Sequence, residues 1–185
     1  MERNREYCLN LLKEYTKSEG LLKHAYSVEA CVKEYAIKFG EDEKFWGNVA
    51  LLHDFDYEKY PTMEEHPFKG AEILREKGFS EEFVTAILSH ADYTNVPRVT
   101  KLQKTLFACD ELAGFITAVT LVRPSKSVVD VKVKSVKKKM KDKSFAAAVS
   151  REDIIKGAEA LGIPLEEHIR FCINAMIKHR ELLGL

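Results

Sequence analysis

Six residues able to ligate metal, His24, His53, Asp54, His66, His90 and Asp110, run through the first two thirds of the chain. Where each falls on its local hydrophobic pattern constrains the fold more than any other feature. Over residues 20–39, Val28, Cys31 and Tyr35 follow His24 at steps of four, seven and eleven, so His24 shares the face of a helix meant for burial. Over residues 42–53, Trp46, Val49 and Ala50 stand seven, four and three positions before His53. Over residues 80–91, Phe83, Ala86 and Ile87 do the same for His90. His66 opens a helix at 67–77 and lines up with Gly70, Ile73 and Leu74, while Asp110 lies in a segment at 100–120 beside Leu106, Phe107, Ala113 and Gly114.

One inward histidine is most simply a satisfied core imidazole. Asp110 resists that explanation, because an ionised carboxylate in apolar surroundings costs several kcal/mol unless it is paired or metal-bound. No basic residue stands three or four positions from Asp110, so no local helical ion pair accounts for it. Five helices that each aim a polar ligand inward predict a metal site. Imidazole with carboxylate suits first-row transition metals, with Mg²⁺ at the hard end.

The stretches LLKHAYSVEAC, ALLHDFD, HPFKGAEIL, ILSHAD and FACDELAG, from about residue 21 to 118, resemble the HD superfamily of metal-dependent phosphohydrolases. The resemblance implies an all-α fold, an HD-domain helical bundle with a helical C-terminal extension over about 122–185, the whole chain of 1–185 being a single domain. It implies that His24, His53, Asp54 and Asp110 hold a first divalent ion and that Asp54 bridges to a second held by His66 and His90. Mn, Fe, Co, Ni, Zn and Mg are the candidate ions, one or two in number. His53, Asp54 and Asp110 then serve catalysis by fixing a metal-activated water as the nucleophile on a phosphate ester. A GYP-type cyclic-di-nucleotide phosphodiesterase motif is absent, as is a second histidine directly after His90.

Composition fits a globular chain of this kind. At 185 residues and 45% hydrophobic content it can bury a core. Formal charge is zero, so no global field draws it to nucleic acid or to a membrane surface. Cys8, Cys31, Cys109 and Cys172 have no CxxC spacing and read as small core residues of a reducing compartment. The charged start MERNREYCLN and the lack of any long apolar run place the protein in the cytoplasm.

Punctuation along the chain predicts helices throughout. A first helix at about 3–17 is taken to end at Gly20, and a second ends at Gly40. Ser80 and Thr100 read as N-caps, Ser150 with Asp153 as a capping box, and Pro164 as the opening of a last helix to about 183. Residues 122–144 carry Arg123 and eight lysines against Asp130 and Asp142. Val129, Val133, Val136 and Met140 favour a helix there, capped by Ser127 and Asp130, over the strand suggested by Val129, Val131 and Val133. Its lysines are either a solvated face or a positive rim for a phosphorylated substrate.

Peripheral roles are assigned by chemistry alone. Lys69 and Arg98 are candidate phosphate contacts, Arg98 because a guanidinium pairs bidentately with phosphate oxygens. Asp92 could orient a ligand or cap a helix; Tyr57 and Tyr93 could line a pocket or pack. His168 and His179 read as non-catalytic. Two function classes follow: a phosphohydrolase of a small phosphorylated metabolite or nucleotide, or a regulatory module that binds metal and nucleotide without turnover.

Overall fold

A computed structural model describes residues 4–185 and bears out the all-helical class. The order is α1 (Arg5–Tyr15), α2 (Glu19–Phe39), α3 (Glu43–Leu51), α4 (Phe68–Glu76), α5 (Glu81–Leu88), α6 (Lys101–Leu121), α7 (Val133–Met140), α8 (Arg151–Ala160), α9 (Leu165–Lys178) and α10 (Arg180–Leu183). Single 3₁₀ turns lie at Asp92–Thr94 and Val128–Asp130, and the described residues contain no strand.

Helix starts are set by side chains that accept N–H groups the helix itself cannot satisfy. Asn4 caps α1, Ser18 α2, Asp42 α3 and Ser80 α5. Thr100 and Gln103 form a reciprocal capping box on α6. Gly40 closes α2 in the left-handed region at φ 70°.

Several expected boundaries move. α1 ends at Tyr15, and Gly20 lies in the first turn of α2 because the Ser18 hydroxyl starts that helix earlier. Arg3 lies outside the described residues. Ser127 caps only the 3₁₀ turn, accepting from Val129, so α7 begins at Val133 and the box with Asp130 does not form. Ser150 does accept from the Asp153 amide, but its own N–H donates to Glu111 of α6 at 3.0 Å, not to Asp153. The last helix breaks at His179 into α9 and α10.

The two 21-residue helices α2 and α6 form the centre. α3 and α9 pack on α2, and α7, α8 and α9 pack on α6. The buried apolar residues make one cluster from Cys8 to Leu183, so the C-terminal helices share the core of the first half. All four cysteines are buried free thiols. No helix among the described residues is long and apolar enough to cross a membrane. α8 meets α6 backbone to backbone: a Cβ at Gly157 would stand 2.5 Å from the Ala108 Cα, so only glycine permits the approach. The same Ala108 carbonyl accepts from His168 Nε2 of α9 at 2.7 Å. Both extension helices thus grip α6 two residues before Asp110.

His168 is fully buried, and its Nδ1 accepts from the Tyr35 hydroxyl at 2.8 Å. Burial depresses its pKa to about 4, against a smaller opposing effect of the Ala108 hydrogen bond. The unfolded chain takes up that proton near pH 6.5 and the fold does not, so this contribution to stability is complete above about pH 6.5. It declines as pH falls toward 4, by up to about 3 kcal/mol. Melting curves between pH 7 and 4.5 should show a steeper loss for wild type than for His168→Gln. Equal slopes would assign the acid sensitivity to other groups.

Candidate metal centre

His53 and His90 do not sit on helices as the periodicity suggests. Each lies two residues past the last residue of its helix, α3 ending at Leu51 and α5 at Leu88. A helix end leaves carbonyls without intrahelical donors, and both histidines use one three residues back. His53 Nδ1 donates to Ala50 O at 2.7 Å, and His90 Nδ1 donates to Ile87 O at 2.6 Å. His66 Nδ1 donates instead to Asp56 Oδ1 at 2.8 Å. A carbonyl or carboxylate only accepts, so these bonds place the proton of each neutral ring on Nδ1 and aim the Nε2 lone pair inward.

The six ligand candidates come together in two halves that share Asp54. Asp54 Oδ2 faces His24 Nε2 at 3.7 Å and His53 Nε2 at 3.5 Å. Asp110 Oδ1 joins this half, 3.0 Å from His24 and 3.4 Å from His53. Asp54 Oδ1 lies 3.2 Å from Nε2 of both His66 and His90. His53 and His90 are buried, whereas the side chains of His24, Asp54 and Asp110 are 21%, 23% and 16% exposed. The centre therefore opens to solvent on the His24–Asp54–Asp110 side.

This donor set fits divalent cations. His66 and His90 present Nε2 atoms 3.4 Å apart, both beside Asp54 Oδ1, with Nδ1 of each committed elsewhere. Three lone pairs converging in a buried space repel unless a cation lies among them. Protons answer that demand when no ion is bound. Burial opposes charge on His53, but Asp54 and Asp110 overcome it and lift its pKa to about 10. His66 is raised to about 9 by Asp54 and Asp56, again against burial. Burial works to raise Asp54 and Asp110, yet His53 and the other histidines hold both well below the usual carboxylate range. A metal ion would displace those protons. Two triads meet the spacing a single ion needs: His24, His53 and Asp54, and Asp54, His66 and His90.

The residues expected around the centre fare differently. The Arg98 guanidinium stacks 3.5 Å from the Phe107 ring centroid and binds Ser89 O at 2.7 Å, His90 O at 3.2 Å and Asp92 at 2.6 Å. It braces the His90 turn. Lys69 pairs with Glu72 at 2.8 Å on the surface. Tyr57 stands edge-on to the His66 ring, and the Tyr93 hydroxyl donates to His66 O at 2.9 Å. Lys137 pairs with Glu166, and Lys139 lies 4.5 Å over the Phe145 ring.

Two acidic residues went unread in the sequence. Asp56 is fully buried and accepts from both His66 Nδ1 and the Gly70 amide at 2.8 Å. Its only signal was a second carboxylate two positions after Asp54, in a stretch that reads as loop. Glu111 adjoins Asp110 and holds Ser150; burial, then the charge of Asp110, raises its pKa to about 7.

No solved structure matches the chain. The HD domain family model matches residues 21–114, 94 of the 185, and that span contains all six ligand candidates. Members of this family bind divalent metals and are mostly metal-dependent hydrolases. A match over half the chain, with Asp54 set between two histidine pairs, makes this chain a member of the HD domain family.

Proposed function

We propose that the protein is a metal-dependent phosphohydrolase acting on a small phosphorylated metabolite or nucleotide. The observation that carries this reading is Asp54, whose two oxygens face different histidine pairs, as a carboxylate shared by two cations must. Divalent ions held there would lower the pKa of a coordinated water and offset charge growing on phosphoryl oxygens. The chain's own part is orientation. Backbone carbonyls and Asp56 fix three imidazoles, and α6, gripped by α8 and α9, fixes Asp110. The partly exposed side at His24, Asp54 and Asp110 is where a phosphoryl group would approach. Zero net charge favours a small diffusing substrate over a polyanion. Free buried cysteines suit a reducing compartment such as the cytoplasm.

The test is a panel of phosphomonoesters, nucleotides and phosphodiesters assayed with Mn²⁺, Fe²⁺, Co²⁺, Ni²⁺, Zn²⁺ and Mg²⁺. At least one compound should turn over, and Asp110→Ala and His53→Ala should each abolish that activity while the helical fold persists. Metal-loaded protein inert toward the whole panel would favour a binding module without turnover.

A further inference from the structure

Away from the metal centre, a cavity of about 630 Å³ opens among α1, α2, α3 and α5. None of the metal ligands lines it. We propose that it is a second binding site, for a molecule of nucleotide size that joins a planar aromatic ring to an anionic group.

The volume lies within the range of about 300–1,000 Å³ typical of small-molecule sites. One wall is aromatic. The Phe79 and Phe83 centroids stand 4.7 Å apart, and Phe45 meets Phe83 edge-on at 5.8 Å. Phe45 and Phe79 remain partly exposed on the cavity side of this cluster, offering ring surface for stacking.

Lysines form another part of the lining. The stem of Lys33 lies across Gly47, where a Cβ would come within 2.7 Å of its Cγ, so the glycine makes room for the lysine against α3. Neither Lys33 nor Lys44 has an ion-pair partner among the described residues. The cavity's buried carboxylate, Glu29, is already neutralised by a two-pronged pair with Arg5 at 2.6 and 2.8 Å. That leaves Glu43 against two uncompensated ammonium groups. The starts of α1, α3 and α5 also border the space, at Asn4, Lys44 and Ser80, and helix N-termini add positive potential. Together these favour a ligand that carries an anion beside a flat ring.

The two sites share no residue: on α3 the lining ends at Asn48, five residues or about 7.5 Å of helical rise before His53. Adenosine monophosphate is a suitable probe, and calorimetric titration of full-length Asp54→Ala removes the metal centre from the readout. Saturable binding should persist in that variant and weaken by about tenfold or more when Lys33→Glu and Lys44→Glu are added. Adenosine alone and inorganic phosphate alone should each bind more weakly than the intact nucleotide. If the double charge reversal does not fold, Lys44→Glu alone, at an exposed position, carries the comparison. Absence of saturable binding in Asp54→Ala, or binding indifferent to the lysine reversals, overturns the proposal. Neither result bears on hydrolysis, which the substrate panel tests separately.

Discussion

Asp54→Ala should leave the protein folded but nearly devoid of bound transition metal and of phosphohydrolase activity. The side chain lies within 3.7 Å of four imidazole nitrogens, two on each of its oxygens, so truncation takes a ligand from both halves at once. The first half keeps His24, His53 and Asp110, but the second keeps only His66 and His90, too few donors for a tight site. The loss should exceed the roughly 10–100-fold that follows removal of a residue merely supporting a ligand. Stability should change less. His53 and His66, whose pKa values Asp54 helps to raise, can give up protons once the carboxylate is gone, and Asp54 is not itself part of the apolar core. His66→Ala and His90→Ala provide the contrast, lowering metal stoichiometry by about one and sparing the first half. Elemental analysis after reconstitution decides the matter. Equal metal in wild type and Asp54→Ala, or none in either, would remove the basis for the site.

Most of the fold was legible because amphipathic helices announce themselves locally. Ser80, Thr100 and Ser150 cap as polar residues ahead of an apolar period should. The six ligand candidates were legible for a related reason: each interrupts an apolar face with a group too costly to bury alone. What periodicity could not convey is that His53 and His90 lie beyond their helix ends. The pattern runs on for a turn after the hydrogen bonding stops, since a ring bonded to the carbonyl three residues back still points to the same side. Tertiary partners were out of reach as well. Nothing near Arg98 in sequence shows that it donates to the Ser89 and His90 carbonyls. Nothing near Gly157 in sequence shows its meaning, which is Ala108, 49 positions away. Asp56 was missed because its partners, His66 and Gly70, are brought to it only by the turn that precedes α4.

Gly70→Ala tests that last connection and should have a large effect on the site although the residue holds no metal. A Cβ there would lie 2.7 Å from Asp56 Cγ and 2.9 Å from both of its oxygens. Neither group can yield cheaply. The carboxylate is fully buried and held by His66 and by the Gly70 amide itself, and Gly70 is buried in the first turn of α4. The added methyl must push Asp56 off His66 Nδ1, leaving the ring free to turn and its Nε2 no longer aimed at Asp54. Affinity in the His66–His90 half should fall by about 10–100-fold, with the His24–His53–Asp110 half little changed. Overpacking should also cost about 1–3 kcal/mol of stability. Asp56→Ala should reproduce the metal defect by a different route, leaving the His66 and Gly70 donors unpaired. The decisive measurement is the double variant. Once Asp56 is truncated the methyl at position 70 has room, so Asp56→Ala with Gly70→Ala should bind metal no worse than Asp56→Ala alone. Additive losses would mean that Gly70 acts through some contact other than Asp56, and the support assigned to His66 would have to be sought elsewhere.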